Sequence, residues 1–89
     1  MNKTELAKVV AKEVDLTVAQ TLSVIDRVVD SIAKAVNDGD TVTIKDFGTF
    51  EKVLRQSRTG VGPTGVSWTS EARNVPVFRP GRGFRERIA

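Results

Sequence analysis

The side chains best equipped for chemistry in this sequence are cationic. Arg55, Arg58, Arg73, Arg79, Arg82 and Arg85 crowd the C-terminal part of an 89-residue chain. A guanidinium is always charged, and its planar fork of donors matches phosphate oxygens. Residues 1–50 carry six Lys/Arg and eight Asp/Glu, a net −2, whereas residues 51–89 carry eight and three, a net +5. Seven of those eight bases are Arg, the type suited to phosphates and narrow grooves. The pattern is that of a polyanion-binding half joined to a near-neutral scaffold half. From charge alone, a solvated surface accounts for the asymmetry equally well.

Other chemistries lack their residues. The chain has no His and no Cys, so the commonest general base, the commonest zinc ligand and any disulfide are missing. Asp38 with Asp40 and Asp26 with Asp30 are close acid pairs. The first falls at a helix stop and the second on a helix face, so both read as capping and solvation. No catalytic residue, metal site or cofactor is expected. No apolar run approaches a membrane span, and "MNKTELAKVV" does not read as a signal peptide. The lack of Cys fits a reducing cytoplasm.

The elements that must position the arginines follow from spacing. Asn2 and Glu5 have capping-box spacing, and Leu6, Val9, Val10 and Val14 then recur at helical intervals. The pattern predicts a first helix over about 3–14. Thr17 and Gln20 repeat the cap, and Leu22, Ile25, Val28, Val29, Ile32 and Val36 form a broad stripe on a second helix over about 18–37. "NDGD" ends it, with Gly39 as the left-handed stop. The period then shifts to two: Val42 and Ile44 alternate with polar residues, Asp46–Gly48 offers a turn, and Phe50 and Leu54 share a face. "VPVFRP" reads as a returning strand. "GRGFRERIA" reads as a short last helix over 81–89, with Phe84 and Ile88 on one face and Gly83 weakening it by about 1 kcal/mol relative to Ala.

The stretch from Arg55 to Asn74 has few apolar residues, and "SRTGVGPTG" holds three glycines and a proline. A structureless loop of that length is unusual in a compact domain. A hairpin folded at "GVGPTG" resolves this, but it has almost nothing to bury and must project. So small a chain also makes only a thin core. Val28, Val29 and Ile32 on the second helix, with four Phe in the chain, therefore point to a facing partner chain.

The fragments "MNKTELAKVVA", "VNDGDTVTIKDFGTF", "SRTG", Pro63 and "VPVFRPGR" resemble the bacterial histone-like family, HU and its relative the integration host factor. The likeness spans the chain, and its parts fall at the family's spacing. It implies an α+β fold in an intertwined dimer, with a helical base, a three-stranded antiparallel sheet and an extended β-ribbon arm per chain. It implies one domain over 1–89: a helical dimerisation part (1–39), a sheet (40–80) with its DNA-binding arm at about 55–74, and a short helix (81–89). It implies double-stranded DNA as partner, minor-groove arms, and a cytoplasmic, nucleoid-associated place. Pro63 takes the role of the wedge between base steps, and Phe47, Phe50 and Phe78 join Val28, Val29 and Ile32 in the dimer core. Arg55, Arg58, Gly60 and Arg73 on the arm, Arg79, Arg82 and Arg85 beyond it, and Lys3 at the first helix start form the expected DNA contacts. A cation at Lys3 gains nothing from the helix dipole and makes better sense against a phosphate.

The chain also departs from the family pattern. The tip "RTGVGPTG" is one residue shorter after Pro63, and Val61 and Gly62 stand where a base and an Asn are usual. Trp68 is a further departure, expected to brace the ribbon against Val61 or Val66. Weak sequence reading is expected, because the minor groove barely distinguishes A·T from T·A. Bent, nicked or distorted DNA is expected to be favoured, since part of the kinking cost is already met. The competing expectations are a site-preferring subunit like the integration host factor, and a dimerisation scaffold with a weakened arm. RNA stays open as a partner, because basic charge does not tell nucleic acids apart.

Overall fold

Asn2 starts the first helix. Its side-chain oxygen accepts the Glu5 backbone N–H at 2.9 Å, satisfying one of the donors that every helix start leaves open. In the computed structural model, which describes residues 1–88, α1 spans Lys3–Val14. It stops at Asp15, which takes the left-handed conformation (φ 56°, ψ 42°) and donates its N–H to the Ala11 carbonyl. The next cap is reciprocal. The Gln20 N–H donates to Thr17 Oγ1 and the Thr17 N–H to Gln20 Oε1, each at 3.0 Å, which is the capping box its spacing indicates. α2 then runs Val18–Asn37. Gly39, at φ 90°, reverses the chain, and the Asp40 N–H returns to the Ala35 carbonyl at 2.9 Å.

The chain forms two compact units, divided at Lys34. In the first, Ala7 and Ala11 are buried, and so is Thr21, whose hydroxyl donates to the Thr17 carbonyl at 2.9 Å. The apolar stripe expected on α1 behaves differently: Leu6, Val9 and Val14 are exposed. A thin core encloses small side chains and leaves larger ones partly open.

The second unit holds the strands. β1 (Val42–Ile44), β2 (Gly48–Arg55), β3 (Arg58–Val61), β4 (Ser67–Ser70) and β5 (Arg73–Pro80) are followed by α3 (Arg82–Ile88). Ala89, the last residue of the expected final helix, lies outside the described residues. β1, β2 and β5 make a three-stranded antiparallel sheet in that order, and β3 pairs with β4 as a separate ribbon. The register carries through from sheet to ribbon. Arg55 faces Arg73 and Arg58 faces Ser70, an equal step on both strands. The ribbon is thus the continuation of the β2–β5 hairpin.

Strand alternation gives this sheet two characters. Phe50 and Phe78 are direct partners with ring centroids 4.8 Å apart. Phe47 lies 5.2 Å from Phe78 and 4.9 Å from Phe84, so α3 is tied to the sheet through rings. Glu51, Val53 and Arg55, with their partners Val77, Val75 and Arg73, project from the other face.

Gly83 answers the helix-propensity concern. A Cβ built there would lie 2.8 Å from Asp46 Cβ and 2.9 Å from the Asp46 carbonyl oxygen. The missing side chain lets α3 sit against the β1–β2 turn. Propensity alone assigns Gly83→Ala a gain of about 1 kcal/mol. The close approach reverses the sign: we expect a net loss of about 1–3 kcal/mol, measured by urea unfolding followed by far-UV circular dichroism.

Candidate nucleic-acid interface

The ladder places Arg55 directly opposite Arg73 at the foot of the ribbon. Like charges in directly opposed positions are destabilising. Neither has a carboxylate within ion-pair range among the described residues, and both are exposed. Arg79 projects from the same sheet face, where it donates to Glu51 Oε1 at 2.7 Å. An open depression of ≈ 480 Å³ beside this root is lined in part by Arg55, Arg58 and Arg79 over Val53 and Val77. The arrangement is a cationic rim on an apolar floor.

Beyond the root, Ser70 Oγ accepts the Arg58 N–H at 3.2 Å and lies 3.4 Å from the Arg58 carbonyl, binding the two strands where the ribbon begins. Further out, Gly60 faces Trp68. A Cβ on Gly60 would fall 2.6 Å from Trp68 Cζ2 and 2.7 Å from Cε2. The indole therefore lies on the bare backbone of Gly60. The ring spans the ribbon, and a flat surface that receives it is the residue with no side chain. It also gives Gly60 a structural role that the RTG motif alone does not reveal.

The tip is a tight turn. The Gly65 N–H donates to the Gly62 carbonyl at 2.9 Å, and the Gly62 N–H to the Val66 carbonyl at 2.8 Å. Pro63 takes the second position, which suits its fixed φ, and Gly65 follows at φ 80°. Pro63 is exposed at the extremity of the ribbon. The shortened tip thus closes as a well-formed hairpin with the proline outward.

The remaining cations are partly engaged. Lys3 donates to Asp26 at 2.7 Å and Arg82 to Glu86 at 2.7 Å. All four side chains are more than half exposed, and surface pairs of this kind contribute little to stability. Arg85 has no ion-pair partner among the described residues. Sequence spacing could not foresee that Lys3 and Arg79 hold carboxylates. Arg82 with Glu86 has the i,i+4 signal; the other two pairs depend on tertiary placement.

The residues expected at a dimer core are open or half-buried. Val28 and Val29 are 48% and 56% exposed, and Phe47 and Phe78 keep 39% and 37%. Ile32 and Phe50 are half-buried. Phe84, which the sequence placed only on a face with Ile88, joins Phe47 and Phe78 in the ring cluster.

A helical unit followed by a small antiparallel sheet, extended in register into a free basic-footed ribbon, defines a nucleic-acid-binding class of fold. The chain matches the family model "Bacterial DNA-binding protein" over residues 1–89. It is 39% identical over 89 residues to the DNA-binding protein HU-alpha of Pseudomonas aeruginosa, covering 99% of each chain. It is 37% identical over 90 residues to the DNA-binding protein HU 1 of Bacillus subtilis, covering 100% of this chain and 98% of the relative. An Anabaena HU–DNA cocrystal structure superposes with a TM-score of 0.93 at 39% identity, covering 100% of this chain and 98% of that one. HU from Thermotoga maritima gives 0.71 at 26% identity over the full length of both. The chain belongs to the bacterial DNA-binding protein family of HU and the integration host factor.

The Gly60–Trp68 contact is directly testable, because Trp68 is the only Trp in the chain. Gly60→Ala is expected to lift the indole off the ribbon, with a shifted emission maximum and greater acrylamide quenching. Unchanged fluorescence would show that the ring does not rest on Gly60.

Proposed function

We propose that this protein is an architectural DNA-binding protein. It binds duplex DNA largely without regard to sequence, through the minor groove, and bends it. The observation that carries this reading is the opposed pair Arg55 and Arg73 at the foot of an uncored ribbon. Two facing guanidiniums with no carboxylate in range among the described residues raise the energy of the free protein, and a phosphate backbone relieves it. Arg58 extends the same cationic track onto the arm. Arg85 adds to it from α3, and Lys3, Arg79 and Arg82 join by exchanging a carboxylate for phosphate. Pro63, exposed at the tip, is the wedge: it is apolar, rigid, and has no N–H to leave unpaired. The HU–DNA cocrystal neighbour supports DNA as the polyanion.

The working form is a homodimer. Val28, Val29 and Ile32 on α2, with Phe47, Phe50 and Phe78, supply the apolar surface that a second copy covers. The chain acts as one domain, with dimerisation assigned to 1–39, sheet and arm to 40–80 and the closing helix to 81–89. No catalysis is assigned to it. Its place is with the bacterial chromosome in the cytoplasm; no helix among the described residues is long and apolar enough to cross a membrane.

Titration of a labelled mixed-sequence duplex at several salt concentrations tests the reading. Affinity is expected to fall steeply with salt, and Arg58→Ala to reduce the log–log slope by about one. A nicked duplex should bind more tightly than an intact one, and Pro63→Ala should narrow that difference. Equal affinity for both duplexes with the wild-type chain would remove the wedge, and no binding at low salt would remove the function. Separately, a double Val28→Lys, Val29→Lys substitution is expected to shift sedimentation from dimer to monomer.

A further inference from the structure

The outer arm has no charge. From Thr59 to Ser70 every residue is Thr, Gly, Val, Pro, Ser or Trp, and the bounding charges are Arg58 and Glu71. The same stretch exposes Val61 at 71%, Val66 at 67% and Trp68 at 50%. A ribbon with free edges and open apolar side chains is ordinarily guarded by charge, above all Lys. This one is not, so its exposed surface serves contact rather than solubility.

The occupant follows from continuity. Arg55, Arg73 and Arg58 set a polyanion against the foot of the ribbon, and the strands run outward from them without a change of register. Arg58 and Gly60 alternate onto one face of the ribbon, and Trp68 opposite Gly60 shares it, so a polyanion held by Arg58 lies beside the indole. Counterions are released only where a cation neutralises a phosphate. An uncharged segment gains instead by removing apolar surface from water. Trp68 is the largest such surface. Its ring is already seated on Gly60, so little rotamer freedom is lost on contact, and half the side chain still faces outward.

We propose that the outer arm grips the DNA groove by apolar contact centred on Trp68, and that this share of the affinity is independent of salt. The protein then has two separable parts in its binding: a basic root that sets the salt slope and an uncharged arm that adds a constant increment. This rests on the proposed DNA-binding function, and two readouts keep the two ideas apart.

Anisotropy of a labelled duplex reports binding, while acrylamide quenching of Trp68 reports the arm. In the wild-type complex, quenching is expected to fall severalfold relative to the free protein. Trp68→Ala is expected to weaken binding about tenfold at every salt concentration with the slope unchanged. Trp68→Phe, which keeps a flat ring on Gly60, should recover most of the loss. Full binding with Trp68 quenched as freely as before overturns the proposal, as does wild-type affinity in Trp68→Ala or a change in its salt slope. The quenching result needs no variant, so it decides the matter even if Trp68→Ala disorders the ribbon. Absence of any anisotropy change at low salt removes the DNA-binding reading itself, and this inference with it.

Discussion

Eight consecutive residue pairs join β2 to β5, from Gly48 opposite Pro80 to Arg55 opposite Arg73. That ladder fixes the rest. Because side chains alternate along a strand, one register places Phe50 against Phe78 on one face and Arg55 against Arg73 on the other. A slip by one residue would exchange the two faces, turning rings toward solvent and guanidiniums toward the aromatic cluster. The ribbon inherits the register without interruption, so the position of Pro63 at the tip and of Trp68 over Gly60 is set from the sheet outward.

The aromatic cluster supplies what so short a chain lacks. Among the described residues the buried hydrophobic side chains are Ala7, Ala11 and Val36. Four rings meeting at 4.8–6.5 Å give the sheet and α3 a common anchor. Gly83 makes that anchor reachable by letting α3 approach Asp46. Helix propensity is given up for packing, because the contact outweighs the fraction of a turn that glycine weakens.

The cations fall into two groups with different readiness. Lys3 and Arg82 rest on exposed carboxylates and Arg79 on the half-buried Glu51, whereas Arg55 and Arg73 face each other with no carboxylate in range among the described residues. On the proposed function, the first group loses a weak pair when it takes a phosphate and the second loses only repulsion. In the proposed DNA complex the polyanion is therefore drawn first to the arm root. Toward the tip the charge ends at Arg58, and exposed Val61, Val66 and Trp68 take over. Charged and exposed apolar side chains are thereby sorted along one hairpin.

Much of this was legible in the sequence because local rules suffice for it. Asn2 with Glu5 and Thr17 with Gln20 mark both helix starts. Gly39 marks a helix end, the change of period at Val42 marks the sheet, and the glycines around Pro63 mark the tip. The basic half and the family likeness pointed to the polyanion. Tertiary structure alone decided which residues oppose one another: Arg55 with Arg73, Trp68 with Gly60, Lys3 with Asp26, Phe84 with Phe47. The reason is physical. Caps and turns are settled by bonds between residues a few places apart, and their residue types announce them. Cross-strand and inter-helix partners depend on register and close approach over long separations, and a charge or a ring carries no mark of the residue it will meet.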